Sequence, residues 1–134
     1  MTKKKLARVV VPYGACVTEN ELSVAKILVK TGYDVRFLKT QLVKMPDIVF
    51  MGREWEIKTP IGKNSRTIEN IMRRALKQSV NIVLDLRYIG LADEKSLREI
   101  ERQMGLMKRI KNVIVINRNG EIVDKFCEFE IMGM

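Results

Sequence analysis

The stretch Pro46-Asp47-Ile48-Val49-Phe50-Met51-Gly52-Arg53-Glu54-Trp55-Glu56-Ile57-Lys58 decides how the chain is read. Ile48 and Phe50 alternate on one arm, Trp55 and Ile57 on the other, and Gly52 supplies a turn residue between them, so the segment is expected to form a β-hairpin. With Gly52 and Arg53 as the two-residue turn, Asp47 is expected opposite Lys58 and Val49 opposite Glu56. Side chains alternate across a strand, which puts Ile48, Phe50, Trp55 and Ile57 on one face that can be buried. Asp47, Glu56 and Lys58 then share the other face, expected to be the wet one. Glu54 alternates onto it as well, but at the turn, where it should be solvated.

Outward from the hairpin the hydrophobic periodicity continues almost to both ends. Thr18-Glu19-Asn20-Glu21 opens a helix with an apolar stripe through Leu22, Ala25, Leu28 and Val29, stopped by Gly32, and residues 34–38 read as a strand. After the loop 59–64 a second helix is expected from about Ser65 to Gln78, with Ile68, Ile71, Met72, Ala75 and Leu76 at helical spacing. Residues 80–86 are dense in β-branched and aliphatic side chains, as in a central strand buried on both faces. Asp93 is expected to cap a third helix carrying Leu97, Ile100 and Met104 inward. Residues 113–116 read as a strand, and Asn119-Gly120 is a turn signal leading to another around Ile122 and Val123. The order predicts an α/β sandwich on a mixed central sheet flanked by helices, in one domain covering residues 1–134. The basic residues at the N-terminus are the only segment expected to be disordered.

The chain has 134 residues, 46% of them apolar, enough for one sizeable core without disulfides or metal clips. Its two cysteines, Cys16 and Cys127, are in no paired-ligand spacing, which argues against a zinc ribbon or a disulfide framework. Arg8 and Pro12 cut the N-terminal apolar run too short for a signal peptide, and no other run approaches transmembrane length. No membrane association and a cytosolic location are therefore expected. The formal charge of +9 favours polyanionic partners such as nucleic acid. The chain contains no histidine, which removes the commonest general base and the paired-histidine mechanism of many metal-free ribonucleases. Hydrolytic chemistry must come from carboxylates, lysine and metal.

Asp47, Glu56 and Lys58 suit that chemistry. Two convergent carboxylates offer hard oxygen ligands to Mg²⁺ or Mn²⁺, which can polarise a phosphate and lower the pKa of a bound water. A protonated Lys58 can orient the attacking hydroxide and offset charge on the phosphorus centre in the transition state. The plainer reading is a hairpin with a polar solvated face, which occurs by chance.

Pro46-Asp47 followed by Glu56-Ile57-Lys58 resembles the defining motif of the PD-(D/E)xK nuclease superfamily, which implies a restriction-endonuclease-like fold. Members place a glutamate on a helix before the hairpin. Glu21 sits where Holliday-junction resolvases of this fold keep theirs, although Thr18-x-x-Glu21 also reads as a helix capping box. Over most of the chain the pattern is similar to the C-terminal tRNA nuclease domain of contact-dependent growth inhibition toxins, the CdiA family. The similarity is carried by Pro46, Glu56-Ile57-Lys58-Thr59-Pro60, Arg74-Ala75-Leu76-Lys77-Gln78, residues 81–86 and Asn119-Gly120. It implies a metal-dependent endonuclease acting on tRNA, with a neutralising immunity protein as partner. The sequence begins with a methionine and carries no large delivery region of those toxins, so the expectation is a toxin-type tRNA nuclease with a role in intercellular competition left open.

The second helix is the expected substrate grip. Arg66, Asn70, Arg73 and Lys77 form one polar stripe, and Lys63 in the preceding loop extends it along a phosphate backbone. The rival reading is an ordinary solvated helix face. Most aromatics alternate into the core, so base stacking has little support, with Tyr13, Tyr33 and Tyr88 as exceptions. Asp85, within the central strand, is expected to be salt-bridged to a nearby arginine rather than catalytic. The third helix has the mixed charge pattern of an exposed surface and is assigned no chemistry. The same site could cut DNA, as in a resolvase or nickase, and a non-cleaving nucleic-acid-binding module stays open as a third reading.

Overall fold

The computed structural model describes residues 6–39, 45–64 and 66–131. Among them are seven strands and three α-helices: β1 (Val9–Val10), α1 (Glu19–Leu28), β2 (Val35–Phe37), β3 (Ile48–Phe50), β4 (Arg53–Lys58), α2 (Arg66–Leu76), β5 (Asn81–Asp85), α3 (Asp93–Leu106), β6 (Asn112–Ile116) and β7 (Ile122–Phe126). They form one mixed sheet in which the strand order equals the order in sequence. The pairs β1/β2, β4/β5 and β5/β6 are parallel, and β2/β3, β3/β4 and β6/β7 are antiparallel.

The sheet is buried by apolar side chains on both faces. On one face, Phe50, Trp55, Ile57 and Val83 pack with Val24, Ala25 and Leu28 of α1. On the other, Ile82, Leu84, Val113 and Val115 pack with Ile68, Met72 and Ala75 of α2 and Ile100 of α3. That second face is helix-covered only on the β4 to β7 side. Toward β2 and β3 it carries the exposed Arg36 of β2 and, across Val49, the exposed Glu54 of β4.

The hairpin is present with its register slipped by two residues from expectation. Val49 faces Glu54 and Phe50 faces Arg53, so the turn residues are Met51 and Gly52 and Asp47 comes opposite Glu56 rather than Lys58. Met51 has φ 53° and Gly52 φ 71°, the left-handed pair that lets a two-residue turn follow the twist of its strands. A slip of two keeps the pleat parity, so the assignment of side chains to faces holds even though the partners change.

Other differences are local. β1 is a two-residue strand that the periodicity did not reveal. Asp93 is the first residue of α3 rather than its cap, and its carboxylate accepts from the Arg118 N–H at 3.1 Å, tying α3 to the β6–β7 turn. The expected start of the second helix at Ser65 and the N-terminal basic residues lie outside the described residues.

Candidate active site

Asp47, Glu56 and Lys58 meet at one end of the sheet, where β3 begins and β4 ends. The Asp47 N–H donates to the Trp55 carbonyl at 2.9 Å, and its Oδ2 accepts from the Ile57 N–H at 2.8 Å. This clamps the Asp47 carboxylate against β4. Lys58 Nζ lies 3.1 Å from Glu56 Oε2. Glu56 was expected on a wet face, yet it is only 3% exposed, because β5 pairs along β4 and α2 packs against both strands. Its Oε1 is buried and has no hydrogen-bond partner. Such an atom is costly unless something positively charged completes it.

The electrostatics agree. Burial, then the neighbouring Asp47 charge, pushes Glu56 up to about 7 against the opposing pull of Lys58. Burial likewise raises Asp47, offset by the Ile57 N–H and reinforced by the negative charge of Glu21. Two carboxylates that resist ionising side by side, with one lysine between them and solvent, form a site short of positive charge. Among the described residues no group of three or more acidic, Cys or His side chains is placed to hold a metal by itself. A divalent cation here would be held by Asp47 and Glu56 and would need its other oxygen ligands from water or phosphate, as Mg²⁺ commonly does.

Glu21 stands at the start of α1, near enough for its charge to disfavour that of Asp47. It also closes a complete capping box: Thr18 N–H donates to Glu21 Oε1 at 2.9 Å and Glu21 N–H to Thr18 Oγ1 at 3.1 Å. Asp85 is fully buried and is gripped by Arg87 through Nε at 2.8 Å and the second terminal nitrogen at 2.9 Å, the salt bridge expected of it.

The polar stripe of α2 is exposed throughout, but its members stand at different distances along the sheet. Lys63 and Arg66 flank the helix start, on the side reached from Lys58. Lys77 follows the helix end, where Ser79 Oγ donates to the Glu54 carbonyl at 2.9 Å beside the hairpin turn, the far end of β4. Asn70 lies between. Arg73 is engaged with Glu69 at 2.8 Å, so its charge is partly compensated.

Sequence reasoning missed Arg36 and the pair Asn20 and Thr59. Arg36 is exposed beside Val49 on the same sheet face as Asp47, and the alternation of apolar and charged residues in Val35-Arg36-Phe37 was a signal that could have found it. Asn20 Nδ2 donates to Thr59 Oγ1, which donates to Asp85 Oδ2 at 3.3 Å. These contacts join α1, β4 and β5 around the site end, and nothing local in the sequence announces them.

The fold and this end of the sheet define a small α/β domain with a hairpin-borne cluster of two carboxylates and a lysine. The family model described as contact-dependent growth inhibition CdiA C-terminal domain matches residues 44–122, and the chain belongs to that family of toxin domains. A chain of the CdiA-CT/CdiI toxin and immunity complex from Burkholderia pseudomallei has a similar fold, with a TM-score of 0.67 at 21% identity over 87% of this chain and 97% of that one. The search of curated proteins found no match.

Proposed function

We propose that the chain is a Mg²⁺- or Mn²⁺-dependent endonuclease of the PD-(D/E)xK type, on a restriction-endonuclease-like core, that hydrolyses phosphodiester bonds of tRNA. The observation that carries this reading is the buried Glu56 Oε1, without a partner, beside an Asp47 that is itself reluctant to ionise. Asp47 and Glu56 would hold the cation, which when bound supplies charge to polarise the phosphate and acidify water. Lys58, held by Glu56, keeps a positive charge beside the scissile phosphate and offsets the charge that builds as water attacks phosphorus and the P–O bond breaks. Glu21 sets the local negative potential and orders the start of α1. Lys63 and Arg66 receive the phosphates flanking the cut, with Asn70, Arg73 and Lys77 further along the strand.

The choice of tRNA as the polymer follows the resemblance of the sequence to tRNA nuclease toxin domains. The family match supports a growth-inhibiting toxin, and one that cuts tRNA would act in the cytosol. The relative in complex with an immunity protein supports a neutralising protein partner for this chain as well.

The test is incubation of purified protein with labelled tRNA and with duplex, nicked and branched DNA, with and without chelator, alongside Glu56→Ala. Cleavage of tRNA that chelation and Glu56→Ala both abolish is the expected result. Preferential cutting of branched or nicked DNA would move the assignment to a resolvase or nickase. Binding without cleavage would make the chain a nucleic-acid-binding module. Cleavage that ignores both chelator and Glu56→Ala would sink the mechanism.

A further inference from the structure

Beyond the cluster, the loops that follow β4 and β5 carry two exposed apolar side chains at the same end of the sheet. Tyr88 is 56% exposed and Ile61 77% exposed. The two loops are fastened together: Gly90 N–H donates to the Gly62 carbonyl at 2.9 Å. Neither glycine has room for a side chain. A Cβ on Gly90 would come within 2.6 Å of Lys63 Cγ, and one on Gly62 would collide with Thr67 Oγ1. Lys63 is thereby laid across the junction.

Tyr88 also rests on a rigid support. The fully buried Asp85 fixes the Arg87 guanidinium through two bonds, and the remaining terminal nitrogen of Arg87 donates to Ser23 Oγ on α1 at 2.8 Å. The guanidinium carbon lies 5.2 Å from the centre of the Tyr88 ring, within cation–π range. An exposed aromatic ring usually loses rotamer freedom when it binds something; here much of that cost is met in advance by the pinned arginine. Thr59, the residue after Lys58, hydrogen-bonds the same Asp85, so the support and the catalytic strand end are one connected unit. The other tyrosines lack this arrangement. Tyr33 is half-buried edge-on against Phe50, and Tyr13 is 97% exposed with no aromatic or cation–π partner among the described residues.

We infer that Tyr88, flanked by Ile61 and Lys63, is a stacking platform for an unpaired nucleobase of the polynucleotide substrate next to the phosphate held at Asp47, Glu56 and Lys58. This rests on the nuclease reading and sharpens it. The domain prefers a scissile bond with an extruded or looped-out base over a bond inside continuous duplex. The aromatic ring supplies a sequence-tolerant π face, and Lys63 supplies the phosphate contact.

The test uses the full chain carrying Glu56→Gln, so that substrate is bound and not consumed, in Mg²⁺ with a fluorescently labelled single-stranded oligoribonucleotide and its blunt duplex. Adding Tyr88→Ala should weaken single-strand binding roughly 5- to 100-fold. Tyr88→Phe should stay within about two-fold of the parent, and the duplex should be affected less than about two-fold by either change. As an independent readout, Tyr88→Trp should give fluorescence quenched by the single strand, against a background in which Trp55 is fully buried. Tyr88→Ala binding the single strand like the parent, or an unquenched Trp at 88 in a bound complex, overturns the platform and leaves the nuclease reading standing. A parent that binds neither polymer overturns both.

Discussion

Glu56 is a carboxylate kept where its charge is disfavoured, at 3% exposure and facing Asp47. The consequence for stability has a definite sign. With a folded-state pKa of about 7 against an ordinary 4.5, the folded protein holds this proton more tightly than the unfolded chain. Stability from this group is therefore intact below about pH 4.5, falls as pH rises toward 7, and stays reduced above it. The total is on the order of a few kcal/mol. Urea denaturation in chelator at pH 5 and pH 8 should show the metal-free protein weaker at pH 8, and Glu56→Gln should remove most of that difference. A pH dependence unchanged by Glu56→Gln would place the cost elsewhere. Adding Mg²⁺ at pH 8 should restore stability to the parent and not to Glu56→Gln. The residue types at this site were legible in the sequence, because Asp, Glu and Lys alternate against Ile, Phe and Trp. The burial of Glu56 was not, since it depends on β5 and α2, which the local alternation does not report.

At the scale of single elements, α1 and the hairpin show two ways in which local chemistry is read. The Thr18/Glu21 capping box was legible because both halves lie within one turn. It leaves Glu21 with a structural and a site role that one pair of substitutions can separate. Glu21→Gln can still close the box while removing the charge near Asp47; Glu21→Ala loses the box and the charge together. Thermal unfolding should show Glu21→Gln near the parent and Glu21→Ala weaker by about 1 kcal/mol. If Glu21 acts in the site, cleavage should fall at least about as far in Glu21→Gln as in Glu21→Ala; activity that tracks stability instead would confine Glu21 to capping. The hairpin was legible in its faces and not in its partners. Met51 occupies a left-handed position that methionine rarely takes, so glycine alone signalled the turn and the register moved by two.

At the scale of the whole molecule, the formal charge is +9, and exposed Arg66, Arg73, Arg74 and Lys77 carry part of it along α2 and just past its end. Arg66 stands at the end of α2 nearer the carboxylate cluster and Lys77 beyond the opposite end, about 16 Å of helix away by the rise of 1.5 Å per residue. Charge reversal should separate them. Arg66→Glu should cut the cleavage rate and reduce the salt dependence of tRNA binding by about one unit of log–log slope, while Lys77→Glu should reduce the slope with less effect on rate. Equal rate losses would mean that the polymer does not run along α2 as argued. The succession of elements was readable from periodicity almost in full. The arrangement of strands was not, since parallel neighbours such as β4 and β5 are joined only by pairing across a helix.

The strand order β1 through β7 also gives the sheet a direction of growth. Each strand meets an open edge left by its predecessor, and none must wedge between two already joined. Glu21, Asp47, Glu56 and Lys58 all lie in the first part of the chain, so pulling from the C-terminus should strip β7 and β6 before the hairpin is disturbed. A clip after β5 should leave the corner of Asp47, Glu56 and Lys58 framed by β3, β4 and β5, with the far edge of β5 open where β6 had paired.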